Sequence, residues 1–130
     1  MSAVEINQEL GETIANSYLD SLTAANVDAV MDLYAVDATL EDPVGSEPKV
    51  GKAAIREFYS AIGGMNIKME STGPVRVAGN SMAFSFNCYS TSEHGQFKIE
   101  IIDVFELNAE GKIQSMRAYW SQANTSPAEY

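Results

Sequence analysis

The chain has 130 residues and a mass of 14.1 kDa, with 45% hydrophobic and 20% charged residues. It reads as a single globular domain over residues 1–130 rather than a disordered chain. Eighteen acidic residues against eight basic ones give a formal charge of −10, which excludes a nucleic-acid partner and disfavours an anionic membrane surface or a polyanionic substrate. The lone cysteine, Cys88, and lone histidine, His94, leave no intrachain disulfide and none of the usual zinc sites, and they suit a reducing cytoplasm.

Residues 1–12 lack a basic segment followed by an apolar run, so no signal peptide is expected, and no stretch has the length of a membrane span. Leu10, Ile14, Tyr18 and Leu22 then recur every four residues, with Ala15 and Leu19 beside them. This is one face of an amphipathic helix, and Tyr18 lies on its inner stripe. Asn26 is a suitable N-cap for a second helix, whose face would be Val27, Val30, Met31 and Tyr34. A short strand follows from Ala38, and Asp42-Pro43-Val44-Gly45 through Pro48 is turn-rich. A third helix is expected over 52–62, with Ile55, Phe58, Tyr59 and Ile62 inward and Gly63-Gly64 ending it.

The second half alternates with period two. Met82, Phe84, Phe86 and Cys88 share one face, and Phe97, Ile99, Ile101, Asp103, Phe105 and Leu107 share another. Gln114, Met116, Ala118 and Trp120 form a third row, with Arg117 opposite, after a hairpin signal at Asn108-Ala109-Glu110-Gly111. Helices followed by long antiparallel strands indicate an α+β fold: three helices in the concave face of a curved, mainly antiparallel sheet, with an apolar hollow between them.

Asp103 interrupts an apolar row, and no cation shares its strand face. Ionising it there is costly, so it is read as a neutral acid able to donate a hydrogen bond. Ile102 and Val104 are apolar too, so a structural acid between two buried faces stays open. Asp42 is either a turn-initiating Asp-Pro or a carboxylate at a strand end, where reactive groups are often carried. A wetter acid and a drier one in the same cleft would divide into base and donor. Tyr18, Tyr34 and Tyr59, placed on three different helices, can form a chain of phenols or be ordinary core residues. His94 falls in an inter-strand loop, a poor place for a catalytic base.

Taken together, Tyr18, the Glu41-Asp42-Pro43-Val44-Gly45 loop, Ala54-Ile55-Arg56-Glu57-Phe58-Tyr59, Ile102-Asp103-Val104 and the run from Gly111 to Trp120 resemble bacterial Δ5-3-ketosteroid isomerase, a cone-shaped fold of the cystatin-like or nuclear-transport-factor-like type. The resemblance spans about residues 18–124. It implies isomerisation of 3-oxo-Δ5-steroids to 3-oxo-Δ4-steroids by proton transfer from C4 to C6. Asp42 would be the general base, with Tyr18 and Asp103 as oxyanion donors. The neutral acid in that role is a known property of the family, taken over here with the resemblance. Tyr34 and Tyr59 would extend the Tyr18 network, and Trp120 would steady Asp42. Phe58, Phe84, Phe86, Ile101 and Met116 would line the steroid cleft. No metal or organic cofactor is implied. A cytoplasmic homodimer is, with Ile102 and Val104 on its interface. Because one fold hosts many functions, a non-catalytic carrier of apolar ligands and another cone-fold enzyme (dehydratase, cyclase or epoxide hydrolase) stand as alternatives.

Overall fold

A computed structural model describes residues 4–127; the ends of the expected domain, 1–3 and 128–130, lie outside the described residues. Helix α1 (Gln8–Thr23) is capped by Asn7, whose side chain accepts the Leu10 amide at 2.9 Å. Ile14, Ala15, Tyr18, Leu19 and Leu22 are its buried face, as its four-residue period predicts. Gly11 lets this helix lie close on the sheet, because a Cβ there would meet Val77 Cγ2 at 2.4 Å. Helix α2 (Val27–Met31) is capped by Asn26 as expected.

Among the described residues the strands are β1 (Tyr34–Glu41), β2 (Lys49–Val50), β3 (Ile67–Ser71), β4 (Arg76–Ala78), β5 (Ser81–Ser92), β6 (Gly95–Leu107), β7 (Ile113–Tyr119) and β8 (Thr125–Pro127). Helix α3 (Lys52–Gly63) intervenes between β2 and β3 and ends at Gly64, close to the expected bounds. The sheet runs β2-β1-β7-β6-β5-β3, with β4 added to β5 and β8 to β6. All pairings are antiparallel except β1 with β7. Its spine is the β5–β6 hairpin, whose two ends pair with different neighbours: β4 and β7 at one, β3 and β8 at the other. The three helices cover its inner face, and the expected α+β architecture is the observed one.

Two local expectations are corrected. Tyr34 is not on the second helix: α2 stops at Met31, and Tyr34 opens β1. A five-residue helix has little stability of its own. By Leu33 the backbone has joined the sheet, its carbonyl accepting the Ile113 amide at 2.8 Å. Gln114 is not on the inner row of β7. Leu107 faces Ile113 while Glu106 faces Ser115, so β7 carries one extra residue. This bulge reverses the alternation. It buries Ile113 and turns Gln114 toward Asp37, to which it donates at 2.9 Å.

Strands β2, β3, β4 and β8 are not among the elements expected from the sequence. Among the described residues, no helix is long and apolar enough to cross a membrane.

Candidate active site

Between α1, α3 and the strands β3, β5 and β6 lies a cavity of about 250 Å³. Tyr18, Asp42, Tyr59, Asp103 and Trp120 line it together, among apolar side chains. Each arrives by a different route. Tyr18 is on the inner stripe of α1. Asp103 sits mid-strand on β6, flanked by Phe84 of β5 and Ala118 of β7, so the centre of the sheet holds it. Asp42 follows β1, which runs parallel to β7 with Glu41 beside Arg117. The loop is pinned there: Val44 donates its amide to Ala118 O at 2.9 Å, and Glu41 accepts from Gly45 and Arg117. The Asp42–Pro43 peptide is cis. Parallel pairing brings Asp42 beside Trp120, just past β7, and the indole Nε1–H donates to Asp42 Oδ1 at 2.7 Å.

The two acids differ in their surroundings. Asp103 is 1% exposed, and neither of its carboxyl oxygens has a hydrogen-bond partner among the described residues. Burial pushes its pKa well above the carboxylate range, and the nearby Asp42 charge pushes the same way; the Tyr18 hydroxyl, close but outside bonding geometry, opposes both. In an orphaned buried carboxyl of this kind burial favours the neutral form, whose O–H can donate. Asp42 is half-buried. Burial raises its pKa too, but the Trp120 bond favours the ionised form and draws it down.

The phenols form a chain. Tyr18 and Tyr59 hydroxyls are 3.0 Å apart, and Tyr59 also bonds to Tyr34, so Tyr59 of α3 joins the helix-borne and strand-borne members. Burial keeps all three as neutral phenols, with pKa values well above normal. The Tyr18 ring is held edge-on by Phe105 at 5.2 Å and Phe84 at 6.0 Å.

Of the expected cleft residues, Phe58, Phe86 and Ile101 line the cavity. Phe84 and Met116 do not. The cavity ends at the level of Asp103: Phe84, beside Asp103 at that level, packs instead on Tyr18 and Phe105, and Met116, 1% exposed, lies beyond it, facing Phe105 across the ladder. Leu22, Ile62, Cys88 and Ile99, on inward-facing stripes, also line the cavity. Ile67 and Met69 are further lining residues on β3. Their signal was available, since Ile67-Lys68-Met69-Glu70 alternates apolar with charged. Burial, aided by the two acids, pushes the Cys88 thiol up to about 11. His94 is exposed on the β5–β6 turn, away from the cavity. No cluster able to hold a metal occurs among the described residues.

Such a site can polarise a carbonyl with two neutral O–H donors at its dry end while an ionised carboxylate takes a proton from the same molecule. The chain is also similar to known proteins. The SnoaL-like domain family matches residues 15–116. A steroid Delta-isomerase of Nocardioides simplex is 44% identical over 104 residues, which is 80% of this chain and 84% of that protein. The epoxide hydrolase LasB of Streptomyces lasalocidi is 25% identical over 129 residues, 87% of this chain but 42% of the relative, so the chain spans less than half of it. Among solved structures, the epoxide hydrolase/cyclase-like enzyme SalBIII, described in pyran ring formation in the polyether salinomycin, superposes with a TM-score of 0.87 at 29% identity, covering 94% of this chain and 98% of that one.

Proposed function

The chain belongs to the SnoaL-like family, and from that premise we propose that it is a steroid Δ-isomerase converting 3-oxo-Δ5-steroids to their conjugated Δ4 isomers. The observation that carries the reading is the orphaned neutral carboxyl of Asp103 beside Tyr18, in a cavity that also holds Asp42. The steroid enters ketone first. Tyr18 and Asp103 each donate a hydrogen bond to O3. Asp42 removes the C4 proton, the C–H electron pair forms a C3=C4 double bond, and the carbonyl π pair moves onto O3, giving a dienolate conjugated with the Δ5 double bond. Donors already aimed at that oxygen in a dry site stabilise the developing charge without reorganising. Asp42 then returns the proton to C6, and the carbonyl reforms in conjugation with the Δ4 double bond. Trp120 acts on this through Asp42, as a positioning residue, and Tyr34 and Tyr59 act through Tyr18. No step asks for a metal or an organic cofactor.

Following the ultraviolet absorbance of the conjugated enone with 5-androstene-3,17-dione tests the reading. A protein-dependent rise is expected; absorbance no faster than in buffer overturns it. Tight steroid binding without turnover would instead favour a carrier, and ring opening of an epoxide without enone formation would favour the epoxide-opening alternative.

We further assign the protein to the cytoplasm and to a homodimer. The buried, unpaired Cys88 supports the first. For the second, Ile102 and Tyr119 lie opposite each other on the outer face of the sheet, 50% and 43% exposed, and offer an apolar patch for a two-fold contact. A monomer by light scattering at micromolar concentration would remove the dimer.

A further inference from the structure

We propose that Ser90 is a specificity-determining residue, reading an oxygen on the C17 side chain of the steroid; this rests on the isomerase reading above and names the substrate class more closely. The cavity runs along the β5–β6 ladder. Asp103 faces Phe84 at one level, and Ser90 faces Phe97 at the other. Ser90 lies six positions along β5 from Phe84, about 20 Å of extended chain. That is longer than four fused rings, so when a ligand is anchored by its ketone at Asp103 the part of it nearest Ser90 is the substituent on ring D. Between the two ends the same strands present Phe86, Ile101, Cys88 and Ile99.

The outer end is apolar apart from Cys88 and Ser90. Ile67 of β3 is the β3 neighbour of Ser90 there, and Met65 and Met69 lie nearby. With its thiol pushed up to about 11, Cys88 stays as S–H, a weak donor. Ser90 is half-buried, lines the cavity, and shows no side-chain hydrogen bond among the described residues. A hydroxyl in this position can satisfy a carbonyl or hydroxyl at the remote end of the ligand, whereas a hydrocarbon side chain would leave it unpaired.

The contact is far from C4 and C6, so it is made equally in ground and transition states and acts on KM rather than kcat. The test compares 5-pregnene-3,20-dione with 5-pregnen-3-one, which lacks the side-chain oxygen. The unaltered protein should prefer the 20-oxo steroid by about three- to tenfold in kcat/KM, through KM, the worth of one neutral hydrogen bond. Ser90→Ala should abolish the preference, and Ser90→Thr, which keeps the hydroxyl, should retain it. Binding of the saturated analogue 5α-pregnane-3,20-dione, followed by quenching of the single tryptophan, Trp120, should weaken by a similar factor in Ser90→Ala. Isomerisation of both substrates without a preference, or a preference that survives Ser90→Ala, overturns the role of Ser90 and leaves the isomerase reading standing. Failure to isomerise either substrate overturns that reading, and this one with it.

Discussion

Two aspartates open onto one cavity and live under opposite rules. Asp103 is woven into the middle of the sheet, with strands on both sides and no partner for either oxygen. Asp42 hangs on a loop just past a strand end, half-buried, with an indole donating to it. The side chains are identical, so the difference comes from position. A carboxyl at the centre of a sheet is dry by construction, because its neighbours on the ladder exclude water. A carboxyl past a strand end keeps enough polar contact to ionise. A charge on Asp42 reinforces the contrast, since it adds to the burial that raises the pKa of Asp103.

Removing the ionised member should break this contrast most severely. Asp42→Asn deletes the proton acceptor, and kcat should fall by about 10²–10⁴-fold in steady-state assays; a loss under tenfold would mean the two acids do not divide the work. Next come the donors. Tyr18→Phe and Asp103→Leu should each lower kcat by about 10²–10³-fold. Asp103→Asn, which keeps an N–H donor, should lose much less, and equal losses in the Asn and Leu variants would show that donation from position 103 is not what matters.

Trp120→Phe should act on the pH profile. The base works only when ionised, so the rate falls as pH drops through the Asp42 pKa. Burial holds that pKa above the usual carboxylate value and the Trp120 bond lowers it. Without the bond the acid limb of kcat/KM against pH should move upward, and the rate should recover on its alkaline side. An unmoved limb would mean the indole serves packing alone.

The smallest effect concerns stability. The folded pKa of Asp103 lies above its unfolded value, so its contribution is fully present below the unfolded pKa of about 3.9 and is lost as pH rises through the folded one. Asp103→Asn cannot ionise. Its urea midpoint should therefore match the parent near about pH 4 and exceed it increasingly toward about pH 8. A constant gap would mean that Asp103 ionises in the fold as easily as in water.

Much of this contrast was legible in the residues. Asp103 announced itself as the one acid in the row Ile99, Ile101, Phe105 and Leu107, and strand parity alone put it inside. Tyr18, Tyr59, Phe86 and Ile101 could be placed from helical and strand periods in the same way. Tyr34 could not, because one helical turn and the start of a strand share the apolar spacing of Val27, Val30 and Met31. The outcome there depended on a partner eighty residues away. Phe84 and Met116 show a second limit. Both lie on inward faces, as expected, yet a face has no depth in one dimension, and only the packing of Phe105 and Tyr18 determines where the cavity stops.

The sequence by itself determined which side of each helix and strand turns inward, because apolar spacing at 3.6 or 2 residues is a local property of the chain. It therefore determined that an acid and several phenols would be buried. Only the tertiary structure decided that Asp42 meets an indole, that the Asp103 oxygens find no hydrogen-bond partner among the described residues, and that a bulge in β7 buries Ile113 in place of Gln114. Those outcomes depend on register and on the parallel pairing of β1 with β7, which are set by contacts between segments far apart in the chain and leave no trace in the pattern of any one of them.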